Sequence, residues 1–240
     1  MMLEGKKLVI FDLDGTLLDT VGLWNEIDRE LISTFGTQPA PDLKTIQTER
    51  DRIINDAQDA HPYITYCEYL KVRYATPLDA QSLYDERYRI ADDFLVNRVD
   101  YKPSAPEFLK ALKARGLKLA VASTTRGKNI EIYRTQNHRI LEKAPFDEMF
   151  EVVYSRNDAE HIKPDPEIHL RLMREFNVTP QECLIFEDSL VGVQAAKAAA
   201  VECAVIYDMH SDDDRQEINQ LANYQFDNFS AILETIEASK

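Results

Sequence analysis

The chain has 240 residues, of which 44% are hydrophobic and 29% are charged, as in an ordinary globular protein. This length fits one large domain, or a core domain with a smaller domain inserted into it. The 42 acidic and 28 basic residues give a net charge of −14, which argues against nucleic acid and anionic membranes as main partners. A small phosphorylated substrate is compatible with this charge, because one locally positive pocket is enough to bind it.

The cysteines and the N-terminus indicate a protein of the reduced cytoplasm. Cys67, Cys183 and Cys203 are scattered and form no CxxC pair, which favours free thiols over a disulfide framework or a zinc site. The N-terminal residues enter a short strand directly, without the apolar stretch of a signal peptide. No apolar run approaches the length of a membrane span. We therefore expect a cytoplasmic location.

The first predicted element is a strand over residues 8–12. Four of its five residues are apolar, which is typical of a strand buried on both faces in a parallel sheet. Asp12 and Asp14 stand at its end, and Gly15 and Thr16 break the pattern. Two carboxylates at the tip of a buried strand are costly to desolvate, so the pattern predicts a cation beside them.

The segment 20–99 is predicted to be all-helical. Leu23, Ile27, Leu31 and Phe35 are four residues apart and share one helix face. Further helices are predicted over 43–55, 63–74 and 79–99. Because this segment lies between two stretches of α/β pattern, we interpret it as an inserted domain.

Strands and helices alternate from residue 100 onward. Strands are predicted over 117–123, 150–154, 183–186 and 203–207, and helices over 106–115, 128–137, 190–200, 214–221 and 230–238. This alternation is typical of a parallel, doubly wound sheet. The predicted fold is α/β, with a Rossmann-like core of residues 1–19 and 100–240 and an all-helical domain of residues 20–99.

Polar side chains follow four of the predicted strands. They are Asp12 and Asp14, Ser123 and Thr124, Lys163, and Glu187 and Asp188. Because the carboxyl ends of parallel strands share one edge of the sheet, these groups can converge. A carboxylate nucleophile, a hydroxyl, a cation and further carboxylates for a metal are the groups that phosphoryl transfer requires.

Four motifs occur in order along the chain: DLDGTLLDT, AVASTT, HIKPDP and IFEDSLVGVQAAKAA. With them the chain resembles the haloacid dehalogenase superfamily, in the subfamily whose helical cap follows the first motif, and is similar to its phosphatases and β-phosphoglucomutases. The resemblance implies a phosphatase, a Mg²⁺-dependent phosphomonoester hydrolase acting on a small phosphorylated metabolite. It also implies that residues 20–99 are the cap, and a monomer is the default expectation for a capped enzyme of this size.

The resemblance assigns catalytic and phosphate-binding roles. Asp12 would attack phosphorus and form an aspartyl-phosphate. Asp14 would protonate the leaving oxygen and then deprotonate the attacking water. Ser123, with Thr124 beside it, would hold the phosphoryl oxygens, and Lys163 would offset the charge of nucleophile and phosphate.

The resemblance also implies a Mg²⁺ site. Asp12, the backbone carbonyl of Asp14, and Asp188 would bind the ion, with waters completing an octahedron. Glu187 would be a further ligand through water or would support the other ligands.

Other activities in the superfamily fit the sequence less well. Its dehalogenases lack the second aspartate, which is present here as Asp14. Its β-phosphoglucomutases carry a histidine where this chain has Trp24, so a phosphosugar mutase is the second hypothesis. Phosphonatases use a cap lysine, and residues 21–38 contain none. A binding protein of this fold without catalytic activity is the third hypothesis, and the intact motifs argue against it.

Several residues have two interpretations on sequence alone. The cations Arg50 and Arg52 could either contact an anionic substrate or lie on a solvated helix surface. Trp24 suits the substrate pocket or packing. The segment that begins at Thr125 suits a solvated helix start as well as a substrate contact.

Overall fold

The computed structural model describes residues 2–56 and 61–237. The chain divides into two compact units, Met1–Val21 with Val99–Lys240 and Gly22–Arg98, which we call the core unit and the helical unit. Within the described ranges, no helix combines the length and apolar character needed to cross a membrane.

The core unit contains a six-stranded parallel sheet. Its strands are β1 (Leu8–Phe11), β2 (Lys118–Ala122), β3 (Val152–Tyr154), β4 (Cys183–Glu187), β5 (Glu202–Ile206) and β6 (Tyr224–Phe226). They lie in the order β3-β2-β1-β4-β5-β6, and β1 pairs with β2 on one side and β4 on the other. The order reverses between β1 and β4, the point at which doubly wound sheets bind ligands. The predicted α/β class is confirmed.

Residues 22–56 and 61–98 of the helical unit form four helices: α1 (Leu23–Phe35), α2 (Leu43–Asp56), α3 (Pro62–Arg73) and α4 (Ala80–Asn97). Ile27 and Leu31 on the predicted apolar face of α1 are fully buried, with Leu23 and Phe35 partly buried against the same cluster. The four-residue spacing therefore predicted the correct buried face.

The described part of the core unit, residues 2–21 and 99–237, contains eight helices: α5 (Ala105–Ala114), α6 (Gly127–Thr135), α7 (His138–Lys143), α8 (Phe146–Met149), α9 (Glu167–Phe176), α10 (Leu190–Ala198), α11 (Arg215–Leu221) and α12 (Phe229–Glu237). Short 3₁₀ helices span Arg156–Asp158, Pro180–Glu182 and Met209–Asp214. Helices α7 and α8 were not predicted, because six and four residues are too few to show a helical period.

Buried side chains on both faces hold β1 in the middle of the sheet. Leu8 and Ile10 belong to one apolar cluster, together with Leu172 of α9. On alternate positions, Phe11 stacks on Phe186 with ring centroids 5.1 Å apart. Since both faces of β1 are covered, the carboxyl end of this strand is a firm support for the residues that follow it.

Candidate active site

Lys163 links two carboxylates at the carboxyl end of the sheet. Its Nζ donates to Oδ1 of Asp12 at 2.6 Å and to Oε1 of Glu187 at 2.5 Å. Asp12 directly follows β1, and its backbone N–H donates to the carbonyl of Phe186 in β4 at 2.9 Å, which continues the strand pairing. All three charged side chains are buried. The two central strands therefore place Asp12 and Glu187 beside Lys163, although these residues lie 151 and 24 positions from it in the sequence.

The electrostatics of this group favour a charged lysine. Burial lowers the pKa of the Lys163 ammonium, but the carboxylates of Asp12 and Glu187 more than offset this and raise it above its ordinary value. The pKa of Asp12 is raised, mainly by burial and also by the negative charges of Glu187 and Asp188.

Glu187 is held in place by its second oxygen. Oε2 accepts hydrogen bonds from the backbone N–H of Asp188 at 3.2 Å and from the hydroxyl of Ser189 at 3.1 Å. A Cβ on Gly192 in α10 would lie 1.9 Å from Cδ of Glu187, so this helix can approach the carboxylate only with glycine there. These contacts orient Glu187 toward Lys163.

Asp188 lies next to this pair and is almost fully buried. Its Oδ1 accepts a hydrogen bond from the Thr16 hydroxyl at 2.8 Å. Gly15 has a φ of +85°, and a Cβ on it would come within 2.4 Å of the Asp188 Oδ2. Burial, then repulsion from Glu187, raises the pKa of Asp188.

The donor set fits a divalent cation. Asp12, Glu187 and Asp188 each offer a carboxylate oxygen, and these oxygens lie within 4.8 Å of one another. When all three are ionised, three carboxylates beside one ammonium carry two negative charges, which a divalent ion matches in number. Clustered carboxylate oxygens are also the ligands that Mg²⁺ and Ca²⁺ prefer.

Asp14 is held by two hydroxyl groups. Its Oδ1 accepts from Thr20 at 2.7 Å, and its Oδ2 accepts from the hydroxyl of Thr125. Asp14 is half-buried, whereas Thr20 is buried.

Ser123 and Thr124 follow β2 and share a pocket with Lys163. The buried Ser123 continues the pairing of β2 with β3, since its N–H donates to the carbonyl of Tyr154 at 3.0 Å. Thr124 is exposed. The pocket is lined by Ser123, Thr124, Ser155, Arg156, Ala159, His161, Ile162, Lys163 and Ile168.

The charged residues of this site were predicted from the sequence, but three threonines that bond them were not. Thr16 bonds Asp188, and Thr20 and Thr125 bond Asp14. All three stand within the motifs, so a hydroxyl residue near a motif carboxylate was the available signal. Nothing in their spacing indicates which carboxylate each one contacts.

Arg50, Arg52 and Trp24 have two interpretations on sequence alone, and each lies against another side chain of the helical unit. Arg50 donates from Nη1 to Oδ2 of Asp28 at 3.0 Å, and the guanidinium of Arg52 lies 5.9 Å from the ring centroid of Tyr69. Trp24 packs against the guanidinium of Arg87. These contacts favour packing roles, and contact with substrate stays a prediction for all three residues.

Comparison with known proteins places the chain among phosphoryl-transfer enzymes. Residues 9–206 match the family model described as haloacid dehalogenase-like hydrolase. The chain is 28% identical over 196 residues to the phosphorylated carbohydrates phosphatase of Thermotoga maritima, covering 82% of both chains. It is 28% identical over 216 residues to (DL)-glycerol-3-phosphatase 2 of Arabidopsis thaliana, covering 88% of this chain and 83% of that protein.

A solved structure confirms the likeness of fold. The crystal structure of CbbY from Rhodobacter sphaeroides in complex with phosphate aligns with a TM-score of 0.65 at 22% identity. The alignment covers 93% of this chain and 95% of that one.

Proposed function

Since the chain belongs to the haloacid dehalogenase-like hydrolase family, we propose that it is a phosphomonoester hydrolase acting on a small phosphorylated metabolite. The observation that carries this proposal is the bridge that Lys163 makes between Asp12 and Glu187 beside Asp188. The Thermotoga and Arabidopsis relatives are named as phosphatases of phosphorylated compounds, which supports the same reaction class.

Asp12 is the nucleophile in this proposal. Its Oδ1 is bound by Lys163, so Oδ2 is the oxygen that we assign to attack on phosphorus, giving an aspartyl-phosphate. The ammonium of Lys163 limits rotation of the carboxylate and offsets the negative charge of the incoming phosphate. Glu187 keeps the ammonium charged and in place.

The phosphoryl oxygens are assigned to Ser123 and Thr124. Both line one pocket with Lys163, the residue whose ammonium binds the Asp12 carboxylate. Preorganised donors of this kind stabilise the charge that develops in the transition state, and each is typically worth about two to three decades in rate.

Asp14 is assigned the proton transfers. It would give a proton to the leaving oxygen in the first step and take one from the attacking water in the second. The hydroxyls of Thr20 and Thr125 hold its two oxygens.

Mg²⁺ is the cation that we propose for the acidic cluster. Asp12 and Asp188 would hold it together with the backbone carbonyl of Asp14, while Glu187 supports the site through its bonds to Lys163 and Ser189. When bound, the ion screens the repulsion between a carboxylate nucleophile and a phosphate dianion.

We further propose a cytoplasmic monomer in which the core unit is the catalytic domain and the helical unit is the cap. The free, scattered cysteines support the location, since Cys67, Cys183 and Cys203 are all unpaired and buried.

The test is phosphate release from a panel of phosphorylated metabolites, with and without Mg²⁺, for wild type and Asp12→Asn. We expect release that depends on Mg²⁺ and falls to background in Asp12→Asn, whereas the exposed control Asp213→Asn keeps wild-type rates. Release that persists in Asp12→Asn would show that Asp12 is not the nucleophile. A hexose 1-phosphate that is isomerised without phosphate release would identify a mutase instead.

A further inference from the structure

The hydroxyl of Thr125 donates a hydrogen bond to Oδ2 of Asp14 across 111 residues of sequence. The other oxygen of Asp14 accepts from Thr20. A carboxylate offers about four lone-pair positions, so these two bonds leave one position on each oxygen for a proton in transfer. Thr125 therefore holds Asp14 without occupying the whole group.

The loop between β2 and α6 fixes the position of that hydroxyl. The backbone N–H of Thr125 donates to Oγ of Ser123 at 3.0 Å. Its backbone carbonyl accepts from the N–H of Arg156 at 2.8 Å. Because Thr125 is tied on both sides of its Cα, its side chain projects from a defined point of the core unit toward Asp14.

We propose that Thr125 is a positioning residue for both proton transfers of Asp14, an inference that rests on the proposed hydrolase function. A hydroxyl can donate to a carboxylate and can accept from a carboxyl group. The same contact thus holds Asp14 before and after it gives up its proton. An N–H at this position could donate to an unprotonated oxygen of Asp14 but could not accept from its carboxyl proton.

The chemistry assigns one proton to each step. An oxygen of Asp12 forms a bond to phosphorus while the bond to the leaving oxygen breaks, and the leaving oxygen takes its electron pair and the proton of Asp14. Water then attacks the aspartyl-phosphate and gives a proton back to Asp14. The Asp12 carboxylate leaves with the electrons of its phosphorus bond, so the starting state is restored with one water consumed.

This role makes the effect of Thr125 depend on the leaving group. An alkoxide needs protonation as it departs, whereas 4-nitrophenolate is stable enough to leave without it. Activation of the attacking water is common to both substrates, but kcat/KM reports the steps up to departure of the leaving group, so misplacing the acid should slow alkyl phosphates selectively in kcat/KM. A residue that only stabilises the loop would affect both classes alike.

The experiment compares glycerol phosphate or the best alkyl substrate with 4-nitrophenyl phosphate for Thr125→Val and Thr125→Ser in the full chain. We expect Thr125→Val to lower kcat/KM for the alkyl phosphate about 10- to 100-fold, and for 4-nitrophenyl phosphate by less than about threefold. Thr125→Ser should recover most of the loss. Thr135→Val in α6, which removes a hydroxyl that donates to the carbonyl of Glu131, is the matched control and should change neither value.

The outcomes separate this inference from the function on which it rests. A wild-type protein that releases no phosphate from either class would overturn the hydrolase proposal and this one with it. An active wild type, with Thr125→Val slowing both substrates equally or neither, would overturn the positioning role alone. Thermal unfolding of Thr125→Val checks that the fold is kept, and Thr125→Ser answers the question if valine prevents folding.

Discussion

His169 is a buried titratable side chain that the proposed mechanism does not use. It lies in α9, and neither ring nitrogen has a hydrogen-bond partner within residues 2–56 and 61–237. Burial lowers the pKa of its imidazole well below the ordinary value, and the nearby positive charge of Lys163 lowers it further. The folded protein therefore keeps His169 neutral under conditions in which the unfolded chain would protonate it.

This difference predicts an acid-sensitive contribution to stability. Below about pH 6.5, the unfolded chain binds a proton at this position that the folded chain does not, so the free energy of unfolding falls as the pH falls. Relative to His169→Leu, wild type should lose about 1.4 kcal/mol between pH 7.5 and pH 5.5. Urea unfolding at the two pH values measures this. The comparison of two proteins cancels the titration of Asp12 and Asp188, whose raised pKa values act in the opposite direction. A constant difference between the two proteins would contradict the prediction.

The charged residues of the site could be predicted from the sequence, whereas their hydroxyl partners could not. Asp12 and Asp188 stand at the ends of short apolar runs, and parallel topology alone brings the ends of such runs to one edge. The contact of Thr125 with Asp14 depends instead on how one loop is tied to Ser123 and Arg156, which no periodicity records. The sequence therefore predicts the elements that carry the site residues but not the local geometry of the loops between them.

At the scale of elements, a buried ion cluster joins helices α1, α2 and α4 of the helical unit. Asp28 of α1 is fully buried and accepts from Arg87 of α4 at 2.5 Å and from Arg50 of α2 at 3.0 Å. The Arg87 guanidinium lies 4.6 Å from the ring centroid of Trp24. Helical spacing predicted the apolar face of α1, but a charged residue on a buried face contradicts that pattern unless its partners on other helices are known.

Asp28→Asn should destabilise the helical unit. The change keeps the side-chain shape but leaves the buried Arg87 without a carboxylate, which typically costs about 3–5 kcal/mol. Glu30→Gln on the same helix is the matched control, because Glu30 and Arg98 form an exposed pair at 3.3 Å whose loss should cost less than about 1 kcal/mol. Fluorescence of Trp24, the only tryptophan in the chain, reports urea unfolding at this cluster. Equal unfolding midpoints for the two variants would rule out the structural role of Asp28.

At the scale of the whole molecule, the chain has an excess of negative charge, and three of its carboxylates meet at the sheet edge. The chain carries a net charge of −14, and the cluster of Asp12, Glu187 and Asp188 places three carboxylates around one lysine. Repulsion among these carboxylates destabilises the folded protein when no metal is bound. The same repulsion is relieved by a bound cation and therefore favours metal binding. Stability and metal binding should therefore respond in opposite directions to the loss of one carboxylate.

Asp188→Asn tests this opposition. In EDTA, the variant should be more stable than wild type by roughly 1–3 kcal/mol, because it removes a carboxyl group whose ionisation is opposed in the folded protein by burial and by Glu187, while Oδ1 can still accept from Thr16. With Mg²⁺ at about 100 times its Kd, wild type should gain about 2.7 kcal/mol, and Asp188→Asn should gain far less. Urea unfolding in EDTA and in Mg²⁺ gives the stability of each protein in both conditions, with Asp213→Asn expected to follow wild type in both.

If Asp188→Asn were less stable than wild type in EDTA, Asp188 would stabilise the fold through its bond to Thr16 by more than its electrostatic cost. If it kept the full Mg²⁺ gain, the ion would bind elsewhere and the proposed ligand set would be wrong.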